Sequence, residues 1–526
     1  DMNVKVIGKI VGKIMILEGI LMFFPFVVSI IYKENYIYIL SFLIPSCCLI
    51  IIGKLLQLLK PSRKGLYQKE GFAVCALTWI VMTIFGALPF VINQDIPNYI
   101  DALFETMSGF TTTGASIVPD ITQLAHSSLF WRSFTHWIGG MGILVFILIF
   151  IPESEDGSSL HLLKAESPGP QVGKLASKMK MTTRILYLIY LGLTIIEVIL
   201  LLFSPKQVAS DGTVYQMDLF NSLLTAFGSA GTGGFGFVTN SMEYFSAYSQ
   251  YVIATFLILF GVNFSLYYLI LIGKCKEAFK SEELRTYLMI KENVSNDIMA
   301  IFISVFIICF NVISNQIDNL QSLGVVDLEE IFRHSYFQVA SIITTTGYST
   351  TNYEYWPELS KCMILILMLL GAMAGSTGGG IKISRLVISF KGIFTRIRKL
   401  INPRYVSKTK FEGKILEETT TNDVFAFITL YFFLTFIIIL ILSCDPINGT
   451  VVNVAGKEVT HGFVSNFSAT ISCLSNIGPG LEAVGPYGSF NLYNHFSKIV
   501  LTFAMLIGRL EILPVLILFT PKTWKK

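Results

Sequence analysis

The chain has 526 residues, of which 53% are hydrophobic and 14% charged, with a mean hydropathy of +0.64. Soluble domains carry about 25% charged residues, so this composition excludes an ordinary soluble enzyme or nucleic-acid-binding protein and reads as a polytopic membrane protein. The net charge of +4 is small, and the 8 Cys show no CxxC or metal spacing, which leaves them as small apolar residues.

Two apolar runs come first, at residues 6–32 and 36–56. Each is near the ~20 residues a helix needs to cross hydrocarbon. They predict an N-terminal two-span hairpin over residues 1–69. Glu18 lies inside the first span, either paired with another helix or in contact with an ion. Four segments of one pattern then follow: span, half-length helix, Gly-rich loop, span. The first covers residues 70–153, with spans at 72–92 and 130–152 around a half-helix at 97–110. The second covers 182–275, with spans at 185–203 and 251–273 and a half-helix at 216–228. The third covers 292–400, with a span at 298–313, a half-helix at 328–343 and a second span from about residue 361. The fourth covers 422–526, with spans at 424–444 and 499–520 and a half-helix at 462–474. A half-helix that enters and returns is tolerated only where protein or water surrounds it.

Charge is unevenly spread. Lysine and arginine collect between the repeats, as in Lys164, Lys174, Lys178 and Lys180 and in Lys276, Lys280, Arg285 and Lys291, and at the C-terminus. The loops inside repeats carry Asp95, Asp101, Glu105, Asp327, Glu329 and Glu330. The positive-inside bias places connectors and C-terminus in the cytoplasm and the half-helix loops outside. Acidic residues at that outer mouth would concentrate cations.

The four loops echo one another. They carry Thr112, Thr113, Gly114 and Ala115; Gly231, Thr232, Gly233 and Gly234; Thr345, Thr346, Gly347 and Tyr348; and Asn476, Ile477, Gly478 and Pro479. Gly114, Gly233, Gly347 and Gly478 recur at intervals of roughly 115 to 130 residues, the mark of a repeated module. Rings of backbone carbonyls replace an ion's hydration shell. Glycine permits the backbone angles that aim such carbonyls. The half-helix dipoles would add partial negative charge there.

A second tract, Gly371 to Lys382, interrupts the second span of the third repeat and has no counterpart in the other repeats. It contains Gly375, Ser376, Thr377, Gly378, Gly379 and Gly380. It is not a phosphate-binding loop, because Ile381 separates Gly380 from Lys382. Arg509 lies within the last span, where a guanidinium must face a cavity or a partner. Glu511, two residues on, falls on a different helix face.

At these motifs the sequence resembles the Trk/Ktr/HKT superfamily of potassium transporters, most closely its TrkH branch. The likeness rests on Glu70-Gly71-Phe72, Gly86 to Phe90, Ser108 to Ala115, His136 to Gly142, Gly375 to Lys382, Asn476 to Gly480 and Gly508 to Glu511. The resemblance implies an all-α polytopic membrane protein. Four pseudo-symmetric M1–P–M2 repeats would surround a central pore, beside the N-terminal pair of spans. It implies potassium bound in the filter loops and a gate formed by Gly371–Lys382 with Arg509. It implies a homodimer in the bacterial cell membrane, the inner membrane in a Gram-negative cell, in contact with its lipids. A TrkA-like cytoplasmic subunit binding NAD, ATP or ADP would regulate it. No cofactor is expected in this chain itself.

Broken helices also occur in secondary carriers, so a potassium symporter coupled to protons or sodium is the alternative. Such carriers usually have two inverted repeats, whereas four in one orientation favour a gated pore. No nucleophile elbow, metal spacing or acid–base pair points to an enzyme.

Overall fold

The computed structural model describes residues 3–60, 68–142, 179–209, 212–288, 301–319, 327–404, 408–454 and 456–512, with 515 and 520. The ends of the spans expected at 130–152 and 499–520, the start of that expected at 298–313, and most of the connector after the first repeat fall outside them.

The chain begins with α1 (Val4–Leu21), α2 (Phe23–Ile31) and α3 (Tyr36–Gln57), followed by α4 (Gln68–Gly86) and α5 (Leu88–Ile92). Next come α6 (Tyr99–Phe110), α7 (His126–Gly140), α8 (Met179–Leu202), α9 (Leu219–Gly231), α10 (Ala247–Phe260) and α11 (Phe264–Leu271). The connector helices α12 (Cys275–Ala278) and α13 (Glu282–Leu288) lead to α14 (Ile301–Asn319), α15 (Leu328–Ile343), α16 (Glu358–Leu369) and α17 (Ile383–Ile401). The last are α18 (Glu418–Leu442), α19 (Phe463–Ser475) and α20 (His495–Arg509). Among the described residues, three small antiparallel hairpins interrupt the expected all-helical pattern: β1–β2 (Gln207–Val208, Val214–Tyr215), β3–β4 (Lys410–Phe411, Lys414–Ile415) and β5–β6 (Val451–Val454, Lys457–Thr460).

Five helical runs are long and apolar enough to cross a membrane among the described residues: Val4–Ile31, Tyr36–Gln57, Glu70–Ile92, Thr183–Leu202 and Glu418–Leu442. The first two cross tightly. Gly53 faces the Gly12 carbonyl, and Ser46 donates to Gly19 O at 2.6 Å, a small-residue contact that lets backbones approach. Glu18 is buried here, yet neither carboxylate oxygen has a hydrogen-bond partner among the described residues. The paired role considered for it is therefore not what the packing provides.

The span expected at 251–273 is not continuous. The axes of α10 and α11 meet at 90°. Gly261 ends α10, and the Asn263 side chain caps α11 by accepting from Ser265 N. The freed polar groups pair with the tract from the third repeat: Met373 N donates to Gly261 O at 3.2 Å and Phe264 N to Gly375 O at 3.1 Å. The interruption at Gly371–Lys382 is thus not the only broken span, and the two breaks satisfy each other.

Helices α6, α9, α15 and α19 have 12, 13, 16 and 13 residues. At ~1.5 Å per residue none spans the ~30 Å of hydrocarbon. Asn98, Asp218 and Asp327 cap the first three by accepting backbone N–H bonds. Two start later than the hydropathy suggests, at Tyr99 rather than residue 97 and at Leu219 rather than 216, because the capping side chain decides the start.

Candidate ion-conduction site

Each of these short helices runs into a loop with the same backbone turn. Thr112, Thr232, Thr345 and Asn476 all have φ between 54° and 58°. Two residues on, Gly114, Gly234, Gly347 and Gly478 also have positive φ. This equivalence corrects the sequence register. Gly234, not Gly233, takes the place of Gly114, and Gly233 stands where the other loops have Thr113, Thr346 and Ile477. Thr232 thereby matches Thr112 and Thr345.

The four loops close a ring. A side-chain carbon added at Gly114 would overlap Gly233 O; at Gly234, Thr346 O; at Gly347, Ile477 O; and at Gly478, Thr113 O. Each loop's glycine therefore abuts the preceding carbonyl of the next loop, all the way round. Hydroxyls brace the turns. Thr111 Oγ1 lies 2.8 Å from Thr113 Oγ1, Thr344 Oγ1 lies 2.8 Å from Thr346 Oγ1, and Asn476 Nδ2 donates to Thr113 Oγ1 at 2.9 Å. An open funnel lies against one side of the ring, bordered by its glycines with Ala115, Ser116, Pro479 and Tyr487. Tyr348 does not face it. Its buried ring packs on Gly228 and its hydroxyl donates to Thr225 O at 3.3 Å.

No acidic side chain lines the funnel among the described residues, which corrects the acidic mouth read from sequence. Glu105 is fully buried in an ion pair with Arg132 at 2.7 Å and accepts from Ile117 N and Ser116 Oγ. Asp101 pairs with Lys498 at 2.7 Å, and Asp95 accepts from Tyr38 Oη at 3.1 Å. Asp327 caps α15, while Glu329 and Glu330 pair with Arg333 and His334 one turn on.

The tract from Gly371 to Lys382 lies against the other side of the ring. It folds back on itself, Gly371 N donating to Ile381 O at 2.7 Å. Gly379 N donates to Thr345 Oγ1 at 2.7 Å, tying the tract directly to the third loop. Gly378 sits beneath Thr344 O and Gly379 beside Ser475 O and Asn476. Thr377 Oγ1 donates to Phe260 O, Ser376 Oγ to Met373 O, and Lys382 Nζ to Gly378 O. Gly375 and Gly380 have positive φ, and Gly375 packs on Asn263.

Arg509 joins tract and ring. It donates to Thr377 O at 2.9 Å, to Thr112 Oγ1 at 3.3 Å, and to the carbonyls of Gly139 and Gly140. Glu511 diverges from it because α20 ends at Arg509 and Glu511 and Ile512 take left-handed backbone angles. It forms a buried ion pair with Arg385 on α17.

Two contributors, His136 and Arg132, were given no site role by the sequence, although His136 begins a motif that carries the family resemblance. His136 wedges between the first helix and the second loop: its Nδ1 is 2.7 Å from Gly109 O, its Nε2 accepts from Phe235 N, and its ring fills the space a Gly233 side chain would need. Gly231, one of the loop residues expected from sequence, packs on the His136 carbonyl. Arg132 donates to Gly236 O and stacks on Phe235 at 4.1 Å, bridging the first two loops. The available signal was the His136–Gly142 motif for the histidine and, for Arg132, an arginine within an apolar run.

A family model described as TrkH, cation transport protein, matches residues 38–526. The chain belongs to the TrkH family. It is 30% identical over 533 residues to the Trk system potassium uptake protein TrkH of Escherichia coli K12, covering 100% of each chain. It is 30% identical over 531 residues to TrkG of the same strain, covering 99% of each. The crystal structure of the potassium transporter TrkH from Vibrio parahaemolyticus matches it with a TM-score of 0.81 and 27% identity over 100% of both chains. Membership of the TrkH family, with its apolar spans, makes this a multi-pass membrane protein and a cation transporter rather than an enzyme.

Proposed function

We propose that the chain is the potassium-conducting subunit of a Trk-type uptake system, built from four M1–P–M2 repeats around one pore. The observation that carries this reading is the closed ring, in which each loop's glycine meets the next loop's carbonyl. The carbonyls of Thr113, Gly233, Thr346 and Ile477 would replace water around a dehydrated potassium ion. The C-terminal ends of α6, α9, α15 and α19 meet at the ring and favour a cation over an anion. Potassium is cargo here, held and released, not a resident cofactor.

The Gly371–Lys382 tract is the gate. It is bonded to the ring at Thr345 and to Arg509, on the side away from the funnel. A loop in that place blocks ions sterically, and the guanidinium adds a positive barrier. The Trk relatives are named as parts of a system, which fits a subunit that works with other components; the arrangement we propose is a homodimer governed by a TrkA-like nucleotide-binding subunit on the cytoplasmic side. Single-channel recording of the protein in planar bilayers, with and without that subunit, tests the reading. Discrete potassium current steps are expected. Tight coupling of potassium flux to a proton or sodium gradient, without current steps, would make it a symporter instead.

A further inference from the structure

The gate tract is held by a residue from outside its own repeat. Helix α13 lies on the connector between the second and third repeats, outside the membrane spans. Its second residue, Glu283, is 4% exposed. One carboxylate oxygen, Oε1, accepts from two backbone amides: Ala374 N at 2.7 Å and Ser384 N at 3.1 Å. These amides lie on either side of the glycine run, ten residues apart in the chain. A single oxygen therefore staples two arms together: the early part of the tract at Ala374 and, just beyond the tract's end, the first turn of α17 at Ser384.

The staple is anchored behind. Glu283 N and Ser281 Oγ both donate to Glu412 Oε1, at 3.1 and 2.8 Å, and Glu412 N donates to Glu282 Oε2. Glu412 sits at the turn of the β3–β4 hairpin. Lys391 on α17 pairs with Glu282. A continuous path of hydrogen bonds thus runs from a cytoplasmic hairpin, through α13, to the tract.

We propose that Glu283 is the positioning residue that latches the intramembrane tract across the pore, acting through the amides of Ala374 and Ser384. The inference rests on the gate reading above. The physical reason is the state of the tract's polar groups. Freed amides near hydrocarbon are costly, so whatever satisfies both arms at once selects the arrangement that presents them together. A partner that displaced α13 or the hairpin would release both arms in one step.

Burial pushes the Glu283 carboxyl up to about 7. The two amide donors oppose that shift, Glu412 adds to it, and Lys382 opposes it. The other charges packed around this region are Glu282 and Lys391, and the Arg385–Glu511 pair with Arg509. A released latch would expose Glu283 to water, where carboxyls titrate near ~4.3. The latched state therefore binds the proton more tightly. Acid favours the closed tract, and opening grows as pH rises from about 4 to about 7.

The test is rubidium flux into proteoliposomes of the full-length protein without its regulatory partner, from about pH 5 to pH 8. Four proteins are compared: wild type, a deletion of residues 374–379, Glu283→Ala and Glu283→Gln. Glutamine keeps an acceptor oxygen but cannot ionise. Glu283→Ala is expected to raise basal flux about tenfold or more, the change that ~1.4 kcal/mol between two states produces. Glu283→Gln is expected to stay closed and to lose the rise in flux with pH that wild type shows. If the deletion opens the pore while Glu283→Ala behaves as wild type, the latch is wrong and the gate stands. If the deletion itself leaves flux low, the gate reading falls and the latch with it. Should Glu283→Ala fail to fold, a wild-type pH profile in Glu283→Gln overturns the proposal.

Discussion

Gly347→Ala is the sharpest probe of the ring. Gly347 has φ +87°, and an added carbon would overlap Ile477 O and lie 2.6 Å from Pro479 Cδ. Two costs therefore combine. The left-handed backbone costs an L-residue roughly 1–2 kcal/mol. Overpacking against a neighbour that cannot rotate away adds about 1–3 kcal/mol. Ile477 O is backbone, so relief requires the third and fourth loops to separate or the carbonyl to turn off the axis. Gly449 provides the control, because it has φ +85° and nothing within 4 Å of an added carbon. Gly449→Ala carries the backbone cost alone. In detergent, thermal unfolding should show the smaller loss for Gly449→Ala and the larger for Gly347→Ala. Rubidium uptake into a strain lacking potassium uptake, with sodium as competitor, should show normal discrimination in the control and weakened discrimination in Gly347→Ala. Unchanged discrimination in a well-expressed Gly347→Ala protein would refute the carbonyl ring as the selecting element.

Removing residues 374–379 should raise basal rubidium flux and make it less dependent on the regulatory subunit; low, fully partner-dependent flux in a folded deletion would show the tract to be packing alone. Arg509→Ala should act in the same direction but more weakly, since one of its bonds reaches the tract and the others reach Thr112 and the α7 carbonyls; a charged hydrogen bond of ~1.5–3 kcal/mol sets the scale. Arg132→Ala strands the buried Glu105 carboxylate and should cost about 3–5 kcal/mol, read as a lower melting temperature, whereas Arg132→Met with Glu105→Leu should recover most of it.

The membrane class and the family were legible in the chain alone. Long apolar runs need hydrocarbon, and the motifs from Ser108 to Ala115 and from Gly508 to Glu511 are too specific to mistake. The register of the second loop was not legible. Gly231, Gly233 and Gly234 offer several equivalent backbones, and the left-handed turn at Thr232 together with contact to Thr346 O selects Gly234. The acidic residues of the outer loops read as a cation-attracting mouth because sequence shows charge without its partner; packing brings Arg132 to Glu105 and Lys498 to Asp101, the latter from 397 residues away. Helical spacing put Glu511 on another helix face from Arg509, but the helix ends at Arg509, and that end, not the spacing, turns Glu511 away and gives it Arg385 as partner. Glu283 looked like one more charge in a mixed connector. A hydrogen bond to a backbone amide leaves no trace in the partner's side chain, so no pattern of residues could announce that this carboxylate holds both arms of a loop 91 and 101 positions away.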